Sequence, residues 1–307
     1  MNPELAAAIH SGPARDLYRS LGVDAPMSRR WLEEVRRLWG NPHHPSQELF
    51  TEIGRQSLSL PSCQQGIRCE AELFSPADPR PGAVVYLHGG GWIAPMAGKH
   101  LGWARRISAL TQRRVYALHY RLAPEHPFPA ALLDAAGAVL AVREHHGGPM
   151  VAIGDSAGAN LAAACHHWLM DVGEQGLQQL TLICGVMDLE LERHQSMLTL
   201  GIDHPYNSIE VLAYERSLYL PDASRWTDPL ASPLRGDLKR LPATVVIAAE
   251  HDPLRDDNLD FAEAAKNQGA NVTVHVGEAM PHGFVMQHEL VPTAAAAAEA
   301  VILNALG

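Results

Sequence analysis

One pentapeptide of the chain has the residue types that a serine nucleophile requires. Residues 154–158 read Gly-Asp-Ser-Ala-Gly, a G-x-S-x-G sequence. An apolar run at 150–153 precedes it and an Ala- and Leu-rich run at 159–170 follows it, which predicts strand, turn and helix. In such a turn the two glycines permit close backbone approach, and the serine hydroxyl is held out at the strand end. The alternative is a glycine-rich turn in which Ser156 only satisfies a backbone group.

A serine hydroxyl attacks efficiently only when a base takes its proton and a third group orients that base. In a strand–turn–helix context these partners follow the serine along the chain in the order acid, then histidine. Asp252 is the predicted acid because it lies in the loop that follows the apolar run at 243–249. Glu250, Asp256 and Asp257 are the alternatives, although the two aspartates also suit the start of a helix.

The predicted base is His282. It lies between Pro281 and Gly283, in a turn that follows the last predicted strand. His275 lies inside that strand and His288 lies near the next helix, so we assign structural roles to both. His282 is therefore the histidine that falls in the loop where the order of residues requires a base.

Donors for a developing oxyanion are predicted in a run of three glycines at residues 89–91. Glycine lets the backbone approach a substrate closely and leaves N–H groups free to point at it. The alternative is a phosphate-binding loop, but no Ser or Thr follows Lys99, as that motif would require. His88 begins the run, and we assign it a structural role in ordering the loop.

The elements that must position these loops alternate along the chain. From about residue 56, apolar strand patterns alternate with helices, which predicts a mostly parallel sheet covered on both faces. Two regions, 1–50 and 188–235, fall outside this alternation. An insertion at the carboxyl end of a parallel sheet lies where ligands bind. We therefore predict a helical cap made of both regions over an α/β core of residues 51–187 and 236–307.

The first of these regions contains an amphipathic helix. Its apolar residues lie on one face at helical spacing: Trp31, Leu32, Val35, Leu38 and Trp39. We expect this stripe to pack on the rest of the protein. The alternative is a helix on a membrane surface, which four arginines favour and two glutamates weaken.

Composition argues against several functions. The chain has 307 residues and a formal net charge of −10, which argues against a nucleic-acid partner. We find no secretory signal and expect no stable membrane insertion, so the predicted location is cytoplasmic. The four cysteines are scattered and are expected to be free thiols. Neither a metal nor another cofactor is expected.

Five motifs resemble, in the same order, those of the hormone-sensitive-lipase-like esterases, the bacterial family IV of the α/β-hydrolases. They are HGGGW, YRLAPEHPFPAAL, GDSAG, HDPLRDD and MPHGF, and together they cover the chain from about residue 80 to 290. The resemblance implies an eight-stranded, mostly parallel sheet flanked by helices under a helical cap. One departure is Ala159, since the family usually has a second glycine after GDSAG. The helix start should tolerate its methyl group.

The resemblance implies a role for each matching residue. Ser156 would be the nucleophile, Asp252 the orienting acid and His282 the general base of a catalytic triad. Trp92 and Asp155 are the predicted residues of the substrate pocket. The predicted donors of the oxyanion hole are backbone N–H groups, those of Gly89, Gly90, Gly91 and Ala157.

The predicted reaction is hydrolysis of a small carboxylic ester through an acyl-enzyme, with short-to-medium acyl chains favoured by the resemblance. A lactonase, an amide deacetylase or an acyltransferase would use the same triad, because specificity lies in the pocket. A more distant alternative is a small-molecule receptor. The plant gibberellin receptors resemble this family but lack the histidine, whereas His282 is present here. The resemblance also allows a homodimer.

Overall fold

A computed structural model describes residues 29–41, 43–202, 204 and 207–306. One eight-stranded sheet crosses this part of the chain in the order β1-β2-β4-β3-β5-β6-β7-β8. Strand β2 is antiparallel to both of its neighbours, β1 and β4, and every other neighbouring pair is parallel. The strands are β1 Gly54–Pro61, β2 Arg68–Ser75, β3 Ala83–Leu87, β4 Arg114–His119, β5 Met150–Asp155, β6 Gln179–Ile183, β7 Ala243–His251 and β8 Val272–Pro281.

Helices cover both faces of this sheet. The α-helices are α1 Arg29–Trp39, α2 Gly98–Thr111, α3 Ala130–His146, α4 Ala157–Asp171, α5 Gln195–Leu200, α6 Ile209–Tyr219, α7 Arg255–Asn267 and α8 Pro292–Leu306. Short 3-10 helices lie at Pro45–Glu48, Leu191–Arg193, Ala223–Arg225, Pro233–Arg235, Leu238–Arg240 and Phe284–Met286. The predicted eight-stranded, mostly parallel α/β fold is confirmed.

Strand β3 shows why the central strands read as continuous apolar runs. All five of its residues are buried. Ala83, Val85 and Leu87 join an apolar cluster with helices α3, α4 and α7 on one face of the sheet. Val84 and Tyr86 join a second cluster with α2 and α8 on the other face. Successive side chains point to opposite faces, so a strand covered on both sides needs apolar residues at every position.

Helix α1 packs on the protein, as we expected for its apolar stripe. Three residues of that stripe are buried: Trp31, Leu32 and Val35. The Trp31 ring meets Tyr214 of α6 edge to face, with ring centroids 5.4 Å apart. Arg36 donates to the Glu125 carboxylate at 2.6 and 2.8 Å. The side chain of Leu38 lies outside the described residues. No helix in the described ranges is long and apolar enough to cross a membrane.

Helix α4 buries a histidine that makes stability depend on pH. His167 is 3 % exposed, and its Nε2 has no hydrogen-bond partner among the described residues. Burial lowers the pKa of His167 to about 4. Between that value and the ordinary pKa of about 6.5, the unfolded chain takes up a proton that the folded chain does not. The free energy of unfolding therefore decreases as pH falls through this window.

Because its pKa is lowered by folding, His167 should decrease the free energy of unfolding by about 2 kcal/mol between pH 7.5 and pH 5. Replacing His167 with leucine should abolish this part of the pH dependence. Urea denaturation of wild type and variant at both pH values measures this difference. His145→Leu is the matched control, because His145 is exposed on α3. A His167 variant with the same pH dependence as wild type would contradict the expectation.

Candidate active site

The predicted turn at Ser156 is present between β5 and α4. Ser156 has φ 54° and ψ −120°, a region that residues with a Cβ rarely occupy. A Cβ added to Gly158 would lie 2.0 Å from the Leu87 carbonyl oxygen, and one added to Gly154 would lie 2.2 Å from the Gly158 oxygen. Only glycine fits these two positions, so the turn brings β5, α4 and the end of β3 into contact. Ala159, the departure from the family motif, is fully buried in the first turn of α4.

The sheet brings the three predicted triad residues to one edge. Ser156 follows β5, Asp252 follows β7 and His282 follows β8, and these strands belong to one parallel set. His282 Nδ1 lies 2.7 Å from Asp252 Oδ2. A carboxylate only accepts hydrogen bonds, so Nδ1 carries the proton and Nε2 is left as the acceptor. Asp252 is fully buried, and its Oδ1 accepts the N–H of Leu254 at 3.0 Å.

The three alternative acids make other contacts. Asp256 accepts the N–H of Ser196, in α5, at 2.7 Å. Asp257 accepts the N–H of Met187 at 2.7 Å. Glu250 accepts a backbone N–H from β8 at 2.6 Å. Of the four candidate acids, Asp252 is therefore the one that forms a hydrogen bond with His282 within the described residues.

The Ser156 hydroxyl, unlike the Asp252 carboxylate and the His282 ring, is not held by a hydrogen bond within the described residues. The residue is 8 % exposed, and its backbone N–H donates to the Ile183 carbonyl at the end of β6. Within the described part of the chain its hydroxyl makes no hydrogen bond, including none to His282. Proton transfer requires these two side chains to come within hydrogen-bond distance, and such contacts commonly tighten when a substrate binds.

The glycine run lies directly against Ser156. A Cβ added to Gly89 would lie 3.1 Å from the Ser156 Cβ. Gly90 has φ +119° and Gly91 has φ +57°, conformations that favour glycine. Within the described ranges, the N–H groups of all four predicted donors have no protein acceptor: Gly89, Gly90, Gly91 and Ala157. They are therefore available to an oxyanion formed beside Ser156.

His88 orders this loop, in agreement with the structural role that we predicted. Its Nδ1 donates to the Gly89 carbonyl at 2.7 Å, and its ring stacks on Tyr120 with centroids 4.3 Å apart. The Tyr120 hydroxyl in turn donates to the His88 carbonyl at 2.6 Å. Burial lowers the pKa of His88 to about 3, so the ring is neutral at physiological pH. Tyr120 begins the YRLAPEHPFPAAL motif, which thereby supports the glycine loop.

Asp155 is engaged inside the protein. Its carboxylate accepts a 2.6 Å hydrogen bond from the Tyr86 hydroxyl and lies 3.6 Å from His100 Nε2. Burial opposes ionisation of Asp155, but His100, Tyr86 and Lys99 together lower its pKa to about 2. The predicted contact between Asp155 and a substrate stays a prediction. Tyr86, His100 and Lys99 were not recognised as neighbours of the site from the sequence.

The other predicted pocket residue, Trp92, packs under the inserted segment. Its ring stacks on Tyr219 of α6 with centroids 4.2 Å apart and planes 6° from parallel. Both residues are buried. This contact joins α6 to the residue that follows the glycine run, so α6 covers the same sheet edge as the triad residues. The exact limits of cap and core stay a prediction.

Sequence reasoning missed two further residues. Cys184 follows β6 at the same sheet edge. Its Sγ lies within 4.8 Å of a carboxylate oxygen of Asp252 and of a ring nitrogen of His282. Burial raises the pKa of Cys184 well above its usual value, and the nearby Asp252 carboxylate raises it further. The thiol therefore stays protonated. All four cysteines are free. Glu215 of α6 contacts Gly91. Residues that follow parallel strands meet at one sheet edge, and this rule could have identified Cys184 from the sequence. No local pattern marks Glu215.

A serine on a strained turn, a paired histidine and carboxylate, and a loop of free N–H groups can together carry out acyl transfer. Residues 84–286 match the family described as alpha/beta hydrolase fold. The match covers more than half of the chain, and the chain therefore belongs to this family.

Similar proteins agree with this placement. The chain is 36% identical over 226 residues to the carboxylesterase NlhH of Mycobacterium tuberculosis, covering 70% of each chain. It is 32% identical over 292 residues to an acetyl-hydrolase of Streptomyces hygroscopicus, covering 92% of each chain. A solved esterase of the bacterial hormone-sensitive lipase family superposes with a TM-score of 0.80 at 26% identity, covering 100% of this chain and 98% of that chain. The predicted family and the enzyme class, a carboxylic-ester hydrolase, are confirmed.

Proposed function

We propose that the protein hydrolyses carboxylic esters through a covalent acyl-enzyme on Ser156. The observation that supports this most is the 2.7 Å pairing of His282 with Asp252 at the sheet edge that also holds the Ser156 turn. As Ser156 Oγ attacks the ester carbonyl carbon, His282 Nε2 takes its proton. Asp252 keeps the ring in the required tautomer and stabilises the imidazolium that forms.

The oxyanion of the tetrahedral intermediate is stabilised by the N–H groups of Gly90, Gly91 and Ala157. Collapse of this intermediate breaks the bond to the alcohol, which leaves with the proton held by His282. A water molecule then attacks the acyl-enzyme while His282 takes its proton. The carboxylic acid is released and Ser156 regains its hydrogen.

The proposed substrates are small esters with short-to-medium acyl chains. One relative, matched over 92% of its length, is an acetyl-hydrolase, so acetyl esters are the first choice. The test treats the enzyme with a fluorophosphonate during hydrolysis of p-nitrophenyl acetate, butyrate and octanoate. We expect one adduct, mapped to Ser156 by peptide mass spectrometry, and loss of activity in proportion to labelling.

Two outcomes would contradict this proposal: an adduct on another residue that abolishes activity, or full labelling of Ser156 without loss of activity. A panel of lactones, N-acetyl amines and alcohol acceptors separates a simple esterase from a lactonase, a deacetylase and an acyltransferase. These activities share the chemistry at Ser156 and differ in how the pocket binds the leaving or accepting group.

A further inference from the structure

A carboxyl group of helix α6 lies against the proposed oxyanion loop. A Cβ added to Gly91 would lie 2.1 Å from Glu215 Cδ, and 2.2 and 2.5 Å from its two oxygens. Within the described ranges Glu215 has no hydrogen bond or ion pair. The next residue, Arg216, instead pairs with Glu192 at 2.9 Å. The carboxyl therefore points at the loop with no cation of the described chain beside it.

Aromatic residues lie one helical turn from Glu215 and directly after Gly91. One turn further along α6, Tyr219 stacks on Trp92, and both rings are buried. The Tyr219 hydroxyl and Trp92 Nε1 are buried without a hydrogen-bond partner among the described residues. Burial alone raises the pKa of Glu215 to about 8. An acid beside aromatic rings is an environment that suits an ammonium group.

A carboxylate in this place opposes the reaction on a neutral ester. The tetrahedral intermediate carries a negative charge at the same loop, and like charges repel strongly where water is excluded. A substrate with a positive charge near its carbonyl would remove that penalty and would pair with the carboxylate. A neutral substrate would leave the carboxyl either repelling the oxyanion or protonated.

We propose that Glu215 determines specificity by binding a cationic group, an ammonium, of the ester substrate. This inference rests on the proposed hydrolysis of esters at Ser156. Glu215 takes no part in bond making or breaking: it holds the charged end of the substrate while the triad acts on the carbonyl. The substrate class is therefore esters that carry an ammonium a few bonds from the carbonyl, on the alcohol or the acyl side.

The test compares esters of equal shape that differ only in charge. Acetylcholine and neohexyl acetate form the pair for the alcohol side, and ethyl trimethylammoniobutyrate and its tert-butyl isostere form the pair for the acyl side. The measured quantity is the ratio of kcat/KM, cationic over neutral, at pH 8.5. Wild type should favour the cationic member of at least one pair. Glu215→Gln keeps the shape of the side chain and should lower that ratio about 10- to 100-fold.

Glu215→Gln should also raise kcat/KM for the neutral member, because a negative charge beside the oxyanion is removed. Glu210→Gln is the matched control, since Glu210 is exposed on the same helix and its replacement changes the net charge equally. Glu210→Gln should leave both ratios at the wild-type value. Glu215→Met provides a second variant if the glutamine variant does not fold.

Turnover of the neutral isostere separates the two proposals. If wild type hydrolyses it and Ser156→Ala does not, ester hydrolysis at Ser156 stands, and an unchanged ratio in Glu215→Gln overturns the inference alone. If neither member of a pair is turned over, choline and neohexanol are compared as competitive inhibitors of p-nitrophenyl acetate hydrolysis. Equal inhibition by the two alcohols, or inhibition unaltered by Glu215→Gln, overturns the inference.

Discussion

Replacing Ser156 with alanine is expected to lower kcat for p-nitrophenyl acetate by several powers of ten, up to about a millionfold. The variant loses the atom that forms the acyl-enzyme, so the N–H groups of the glycine loop can act only on direct attack by water. Alanine has a Cβ, as serine does, so the backbone strain at φ 54° is unchanged. Initial rates at saturating substrate, with thermal unfolding to check the fold, measure the effect.

Ser224→Ala is a suitable control for this variant. Ser224 is exposed in the 3-10 helix Ala223–Arg225 of the inserted segment, and its removal should leave kcat unchanged. If Ser156→Ala kept more than about a hundredth of the wild-type rate, far above the residual expected without a nucleophile, the acyl-enzyme mechanism would be wrong. If the folded wild type were itself inactive on these esters, a small-molecule receptor on this scaffold would become a leading explanation.

Replacing Asp252 with asparagine is expected to lower kcat about 10,000-fold. Asp252 Oδ1 accepts the N–H of Leu254 at 3.0 Å, so an asparagine would keep its carbonyl oxygen there. Its NH₂ group would then face His282 Nδ1 and force the proton onto Nε2. A ring protonated at Nε2 cannot take the proton of Ser156. The rate should fall while the packing is retained.

The measurement is kcat for p-nitrophenyl acetate near neutral pH, with circular dichroism to confirm the fold. Asp256→Asn is the matched control, because Asp256 was an alternative acid but bonds to Ser196. It should lose little activity. If Asp256→Asn were as slow as Asp252→Asn, or if Asp252→Asn kept near-normal kcat, the assignment of Asp252 as the orienting acid would fail.

Much of the site was determined by the sequence itself. The G-x-S-x-G sequence lies between a strand pattern and a helix pattern, and its two glycines are required because added Cβ atoms would overlap backbone oxygens. Asp252 and His282 each follow an apolar run. Parallel strands end at the same sheet edge, so residues that follow different strands meet there even when about thirty or more positions apart. This rule acts on local patterns, which a sequence displays.

Other features depended on the tertiary structure. Which of four acids pairs with His282 was decided by the path of the loop after β7, since all four lie within eight positions of one another. Cys184 has no motif, and its place beside Asp252 follows from strand order. Glu215 lies against Gly91 because α6 is held there by Trp92 on Tyr219 and by Trp31 on Tyr214.

The physical reason for this division is the range of the interactions. Turn geometry, strand alternation and glycine requirements arise from neighbouring residues and are therefore visible along the chain. The lateral position of a cap helix depends on side chains from distant segments packing against one another, and helical periodicity specifies only which face is apolar. The sequence thus determined which residues meet at the Ser156 turn, while the helical residues that lie over them were decided by how α1 and α6 pack over the sheet.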